Sequence, residues 1–148
     1  MKSGPKRKCI LLIDQQPYWR QFSTSTLKSV GFLVCTLDTY NYVLPQDCLH
    51  GQSPDMVVLG CAQVGPNERK LISQILDHKH HLLVLSAYLP LQVMHSLFLQ
   101  GIVDIAEKPD DPISLVNMVN QALSSTAPRN SYQAVERYGV AWINNNAF

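Results

Sequence analysis

The sequence contains no long apolar run. Its first apolar segment, Cys9–Ile13, covers five residues, whereas the core of a signal peptide needs about 7 to 15 residues and a membrane-spanning helix about 20. We therefore expect a cytoplasmic protein that does not associate with membranes.

Closely spaced cysteines are also missing. The four cysteines, Cys9, Cys35, Cys48 and Cys61, do not form the close pairs that zinc sites use. Three of them fall in or beside predicted core strands, where cysteine behaves as a small hydrophobe. We expect thiols rather than disulfides, and no bound metal. The run 78–81, which contains three histidines, has no obvious carboxylate or cysteine ligand nearby, so we interpret it as a solvated connection.

Neither sign of charge is in large excess. The chain of 148 residues carries 12 basic and 11 acidic side chains and a net charge of +1. It therefore lacks a footprint large enough for nucleic-acid binding on its own. Four basic residues nevertheless lie within the first eight positions: Lys2, Lys6, Arg7 and Lys8. We interpret residues 1–7 as a short solvated arm, with contact to nucleic acid or acidic lipid as the less favoured alternative.

Five short apolar segments alternate with stretches of helix length. The central one, 55–60, contains an unbroken apolar run of four residues and ends at Gly60, which is typical of a strand buried on both faces of a sheet. The others cover 9–13, 32–37, 82–86 and 102–106. This alternation predicts a single α/β domain with an open parallel sheet covered by helices.

Helical spacing of apolar residues predicts the helices between these strands. The first would run from Pro17 to Gly31 and turn Tyr18, Phe22, Leu27 and Val30 toward the sheet. A second would be short and displaced, because proline at position 45 interrupts its interval. Further helices are predicted from an Asn67 cap to about residue 77, over 90–100, and from about 110 to 123.

Two regions carry more apolar residues than a simple core requires. The predicted helix 90–100 is apolar on more than one face, which suggests either a partner surface or core packing. We expect Met94 and Phe98 to contact another chain or the aromatic segment 132–148. Residues 125–148 are interpreted as a linker and an aromatic tail, either docked on the domain or starting a truncated output region.

Functional residues of such a sheet are expected just beyond the carboxyl ends of its strands. There the sequence places Asp14 with Gln15, Asp38, Gly60, Ser86 with Ala87, and Lys108 with Pro109.

This order of residues resembles the receiver domain of bacterial two-component response regulators. Four motifs carry the resemblance, which covers about residues 8–124: Asp14-Gln15-Gln16-Pro17-Tyr18-Trp19-Arg20, the run 54–59, Ser86-Ala87, and Gly101-x-x-Asp104-x-x-x-Lys108-Pro109. The resemblance implies a flavodoxin-like, doubly wound (βα)5 fold with a five-stranded parallel sheet in the order 2-1-3-4-5. It also implies a cis bond between Lys108 and Pro109.

The sequence departs from that family at the reaction itself. Gly60 occupies the position of the family's phosphoacceptor aspartate, and Gln15 occupies the position of the metal-facing acidic residue in the first turn. A backbone carbonyl at Ala62 could remain, but we do not expect magnesium to bind tightly. The position of the switching aromatic residue is Ile105.

Ser86 and Lys108 match the residues that sense the phosphoryl group in the family. Without an acceptor we favour structural roles for both: Lys108 would pair with Asp14, and Ser86 would hydrogen-bond at a strand end.

The sequence therefore predicts a degenerate receiver, or pseudo-receiver, that is not an enzyme and needs no cofactor. It would regulate through protein contact, binding a partner or a second copy through the predicted helix 90–100, the strand 102–106 and the last helix. One alternative is a receiver phosphorylated at an unusual residue such as Ser86 or Asp55. Another is the N-terminal regulatory domain of a larger DNA-binding or enzymatic regulator, in which only the missing output domain would bind nucleic acid.

Overall fold

The computed structural model describes residues 7–40, 53–102 and 104–124. Five parallel strands form one sheet in the order β2-β1-β3-β4-β5. They are β1 (Cys9–Ile13), β2 (Leu33–Leu37), β3 (Met56–Cys61), β4 (Leu82–Ser86) and β5 (Ile105–Glu107). The expected flavodoxin-like α/β fold with strand order 2-1-3-4-5 is therefore confirmed.

The described helices are α1 (Pro17–Ser29), α2 (Pro66–Asp77), α3 (Leu91–Leu99) and α4 (Pro112–Ser124). Proline opens α1 and α2, where the missing N–H costs nothing because the first helical turn leaves its donors unpaired. The predicted Asn67 cap of α2 is wrong. Gly65 is the N-cap, and its N–H donates to Glu68 Oε1 at 2.9 Å, so the carboxylate three residues later supplies the capping contact. The short helix expected around residue 45 lies outside the described residues.

Apolar side chains cover both faces of the sheet. On one face Leu11, Leu59 and Val84 pack with residues of α2 and α3, and on the other face Leu12, Val58 and Leu85 pack with residues of α1 and α4. Every residue of β1 and β3 is buried, which explains the unbroken apolar runs that marked these strands.

The predicted inward face of α1 is partly wrong. Tyr18 and Val30 are 84% and 52% exposed, and the buried residues are Trp19, Ser23 and Leu27. These three lie four residues apart and so occupy one side of the helix. Apolar residues alone do not fix the rotation of a helix whose termini are exposed. For this reason the expectation that Tyr18 and Val30 face the sheet is wrong.

The predicted bounds of the last strand are also wrong at both ends. β5 covers Ile105–Glu107, and its pairing with β4 starts at Val84 and Ile105. Ile102 is buried, but its N–H donates to Leu97 O at 3.0 Å and so belongs to the end of α3. Gly101 adopts a φ of 105° there, the left-handed conformation that commonly closes a helix.

Two expectations about the run 78–81 are wrong: that it is only a solvated connection, and that no carboxylate lies nearby. The Nε2 atom of His81 lies 2.8 Å from Oδ2 of the buried Asp104. Asp104 is 23 residues further along the chain. Within the described ranges, no group of three or more side chains could hold a metal ion.

The cysteines do not all carry thiols. Cys9 and Cys61 are outside disulfides, but Cys35 is disulfide-bonded, so the expectation of a thiol is wrong there. Cys48 lies outside the described residues. Because disulfides are rare in reducing compartments, the cytoplasmic location stays a prediction. Among the described helices, none has the length and apolarity needed to cross a membrane.

Asp55 offers a test of how the sheet is fastened at its amino edge. Its Oδ2 accepts a hydrogen bond from the Cys9 N–H at 2.7 Å, joining the start of β3 to the start of β1. Because this bond involves a carboxylate, Asp55→Ala should lower the free energy of unfolding by about 1 to 3 kcal/mol in urea denaturation. Asp38→Ala, at an exposed position after β2, is the matched control and should change it by less than about 0.5 kcal/mol. Equal losses in the two variants would contradict this role.

Candidate functional site

Asp14 lies at the centre of the carboxyl edge of the sheet. It follows β1 directly, it is fully buried, and its N–H donates to Leu37 O at 3.1 Å. Its Oδ1 accepts a hydrogen bond from the Gln16 N–H at 2.8 Å. This local turn fixes the carboxylate and leaves Oδ2 for a partner from another strand end.

Lys108, which follows β5, supplies that partner. Its Nζ lies 2.9 Å from Asp14 Oδ2, and only 7% of the lysine side chain is exposed. The same ammonium donates to Gln16 Oε1 at 2.9 Å and lies 4.7 Å from the centre of the Trp19 ring. A buried ion pair is stable only when further contacts replace the lost hydration, and Gln16 and Trp19 provide those contacts.

Gly60 faces this ion pair from β3. A Cβ atom at position 60 would collide with Asp14 Oδ2 and would lie 3.0 Å from Trp19 Cζ3. Real Cβ atoms do not approach other atoms this closely. The glycine is therefore what permits Asp14 and the Trp19 indole to fill the space above the end of β3.

Trp19 closes the pocket from the side of α1. Its side chain is buried, and its Nε1–H points to Pro109 O at 3.4 Å, a long contact. The next residue, Arg20, donates from Nη1 to Asp14 O at 2.7 Å. The first turn of α1 thus attaches to both the β1 and the β5 ends of the site.

The hydroxyl of Ser86 is used by the backbone. Ser86 is fully buried, donates to Tyr88 O at 2.6 Å and lies 3.3 Å from Ala62 O. Ala62 O also accepts a hydrogen bond from the Tyr88 N–H at 2.8 Å. Both the expected switch hydroxyl and the expected metal carbonyl are thus committed to the turn after β4.

The sequence singled out Gln15, but the structure places it on the surface, and the amide in the pocket is that of Gln16. Trp19 was interpreted only as partly buried packing. The position of Asp14 in a turn before a helix could have indicated both Gln16 and Trp19. Gln16, two positions later, closes the turn, and Trp19, five positions later, lies on the inner face of α1.

The remaining predicted positions are placed as follows. Ile105 is buried in β5 beside Val84, so the switch position carries an ordinary core residue. The expected cis bond before Pro109 is wrong, because every described peptide bond is trans. Trans is the intrinsically favoured isomer, and Lys108 reaches Asp14 with it.

Met94 and Phe98 lie on α3, away from the pocket, and both are partly exposed. Met94 packs in part against the core below it. The more exposed apolar residues of α3 are Leu91, at 39%, and Leu99, at 72%.

Two other ionisable groups near the pocket are held in their neutral forms. Burial raises the pKa of the Cys61 thiol to about 11. Burial also raises the pKa of Tyr40, with the Cys61 and Glu68 charges adding to the effect. A thiol with that pKa carries little thiolate near neutral pH, so Cys61 is not an activated nucleophile.

The residues of the pocket do not fit a magnesium ion. Magnesium sites in proteins use one or two carboxylates together with waters and phosphate oxygens. Here Asp14 is the one carboxylate in contact with Lys108 and Gly60 among the described residues, and each of its oxygens already has a partner. What this arrangement can do is hold three strand ends and α1 together through one buried charge pair.

Gly60→Ala tests whether the space above β3 is filled. The added methyl group should lower the free energy of unfolding by about 1 to 3 kcal/mol, because Asp14 and Trp19 would have to move. In an Asp14→Ala background the same change should cost clearly less, since the colliding carboxylate is absent. Urea denaturation of the four proteins gives the coupling, and a cost that is equal in both backgrounds would mean that Asp14 does not occupy this space.

Lys108→Met tests the buried pair. Removing the ammonium leaves the Asp14 carboxylate buried without its counter-charge, so the free energy of unfolding should fall by about 3 to 5 kcal/mol. The double variant Asp14→Asn/Lys108→Met should recover much of that loss, because no uncompensated charge remains. If the double variant is less stable than Lys108→Met, packing of the lysine stem rather than charge explains the effect.

No protein-family model matches the chain, and no curated protein sequence does. Its fold is nevertheless found among solved structures. A response regulator from Thermotoga maritima is 22% identical with a TM-score of 0.67, over 81% of this chain and 100% of that one. A CheY-like response regulator receiver domain protein from Methanospirillum hungatei JF-1 is 16% identical with a TM-score of 0.65, over 80% and 94%.

A third solved structure is that of the response regulator TrrA from Thermotoga maritima in complex with Mg²⁺ and BeF. It is 19% identical with a TM-score of 0.62, over 78% of this chain and 98% of that one. The likeness covers nearly the whole of each of these proteins. The chain therefore has the fold of response regulator receiver domains.

Proposed function

We propose that the chain is a receiver-like module of two-component signalling that acts through protein contact and does not take up a phosphoryl group by the route that receivers use. The receiver fold and the four sequence motifs support the signalling role. The observation that carries the second part is the space above Gly60, which the Asp14 carboxylate and the Trp19 indole occupy.

Phosphoryl transfer to a protein needs a nucleophile and cations that neutralise the transferred group. Gly60 offers no nucleophile, and a side chain there would displace Asp14. The cation that would face the phosphoryl group, Lys108, already neutralises Asp14 and is further held by Gln16. Each component of the reaction is therefore missing or in use.

Phosphorylation at an unusual residue finds less support. Ser86 is fully buried, and its hydroxyl donates to a backbone carbonyl. Asp55 is exposed, but it precedes β3 and so lies at the opposite edge of the sheet from Lys108 and Asp14. Asp55 is therefore remote from the charged groups of the pocket, and the Ser86 hydroxyl is already used by the backbone.

Regulation by protein contact requires an accessible surface. We assign it to α3, β5 and α4, where the apolar residues Leu91, Leu99 and Ile113 are exposed and Met94 and Phe98 are partly exposed. Exposed apolar side chains on neighbouring elements are typical of partner surfaces. The partner is a protein or a second copy, and an output region in a longer chain would use the same contact.

The test is intact-mass spectrometry after incubation with acetyl phosphate and magnesium. We expect no stable gain in mass by one phosphoryl group, whereas TrrA treated in parallel serves as the positive control for the donor. A phosphorylated product of this chain would overturn the proposal, and fragmentation would then identify the residue.

A further inference from the structure

A groove borders the Asp14 pocket on its outer side. It has a volume of about 580 Å³ and lies between the first turns of α1, the loop after β4 and the residues after Lys108. Pro17, Tyr18, Phe22 and Pro109 form much of its wall. Tyr18 is 84% exposed, so its ring offers a face for contact. The groove has the size and apolar lining of a binding site for a short peptide segment.

The rim of this groove is acidic. Lys108 lines the groove, but Asp14 compensates its charge at 2.9 Å. Asp110 also lines the groove and is exposed, and Asp111 directly after it is exposed as well. Hydrogen bonds from Ser114 lower the pKa of Asp111, which keeps that carboxylate ionised. Arg20, a neighbouring cation on α1, donates inward to Asp14 O. A ligand of this groove should therefore be basic.

The chain carries a segment of matching chemistry. Residues 1–8 contain Lys2, Lys6, Arg7 and Lys8, together with one proline at position 5. Arginine and lysine pair with carboxylates and stack on exposed aromatic faces, and proline packs on aromatic rings in extended peptides. Four positive charges in eight residues complement the carboxylates of Asp110 and Asp111 on the rim.

The direction of β1 makes a second copy the better donor of this segment. The arm precedes β1 and therefore leaves the sheet at its amino edge, whereas the groove lies beyond the carboxyl edge. Residues 1–6 can span about 20 Å when extended. β1 alone is about 17 Å long, and a path to the same molecule's groove would also have to pass around α1.

We propose that two copies of the chain exchange their basic arms, each binding the acidic, aromatic groove of the other. Such a contact is two-fold symmetric, so each arm strengthens the binding of the other. It uses a different surface from the α3, β5 and α4 contact and does not depend on whether the chain is phosphorylated. Because exposed ion pairs hold it, the dimer should be weak and sensitive to salt.

Charge reversal gives a sharp test by analytical ultracentrifugation of the full chain. The arm variant is Lys2→Glu/Lys6→Glu, and the rim variant is Asp110→Lys/Asp111→Lys. Each variant alone should dimerise at least about tenfold more weakly than the wild type at low salt, because the arm variant loses the net positive charge of its arm and the rim variant sets a basic arm against a basic rim. An equimolar mixture should form a heterodimer more strongly than either variant dimerises alone, because the rim variant's basic arm meets an acidic groove and the introduced glutamates meet the introduced lysines.

The control is Lys28→Glu/Lys70→Glu, which makes the same change in net charge at exposed helix positions. It should dimerise like the wild type, and it should form a heterodimer with the rim variant more weakly than the arm variant does, because the control's basic arm meets the introduced lysines. A wild-type protein that stays monomeric at low salt and high concentration would overturn the proposal. An arm variant that dimerises as well as the wild type would also overturn it. So would a control that forms the heterodimer with the rim variant as strongly as the arm variant does.

Discussion

The buried pair between Asp14 and Lys108 is the interaction on which the carboxyl edge of the sheet depends. Asp14 follows β1, Lys108 follows β5, and the pair lies above Gly60 at the end of β3. A buried carboxylate is tolerated only where a cation and hydrogen-bond donors compensate it. Gln16, from the turn that Asp14 starts, and Trp19, from the first turn of α1, complete that compensation. One charge pair thus ties three strands to α1.

In the proposed function, the same pair lets the chain keep the receiver fold without taking up a phosphoryl group. The two cores on either side of the sheet use residues inside the strands and on the inner faces of the helices, so a change at a strand end leaves them intact. Gly60 has no nucleophilic side chain, and it leaves room for Asp14 and the Trp19 indole. The chain can therefore keep the receiver fold while its pocket is closed by its own side chains.

The sequence predicted the strands well where burial is complete and poorly where exposure varies. β1 and β3 are buried throughout, so their apolar runs have one interpretation. In contrast, Tyr18 and Val30 are apolar residues on the exposed part of α1, and Ile102 is a buried residue that belongs to a helix end rather than to β5. Apolarity reports burial but does not identify which element buries a residue.

The site was predictable in its charges but not in its packing. Asp14 and Lys108 could be placed together because the ends of parallel strands meet at one edge. The choice of Gln16 over Gln15 depends on the geometry of a turn, and the place of Trp19 depends on the rotation of α1. The contact between His81 and Asp104 joins residues far apart in the chain, which no local pattern reveals.

The most direct test is a crystal structure of the chain grown with magnesium and beryllium fluoride, a stable mimic of a phosphoryl group. We expect that Lys108 Nζ remains in contact with Asp14 Oδ2, that the Trp19 indole stays over Gly60, and that neither the metal nor the fluoride binds between them. A magnesium ion bound to Asp14, with Trp19 displaced and beryllium fluoride above β3, would contradict it.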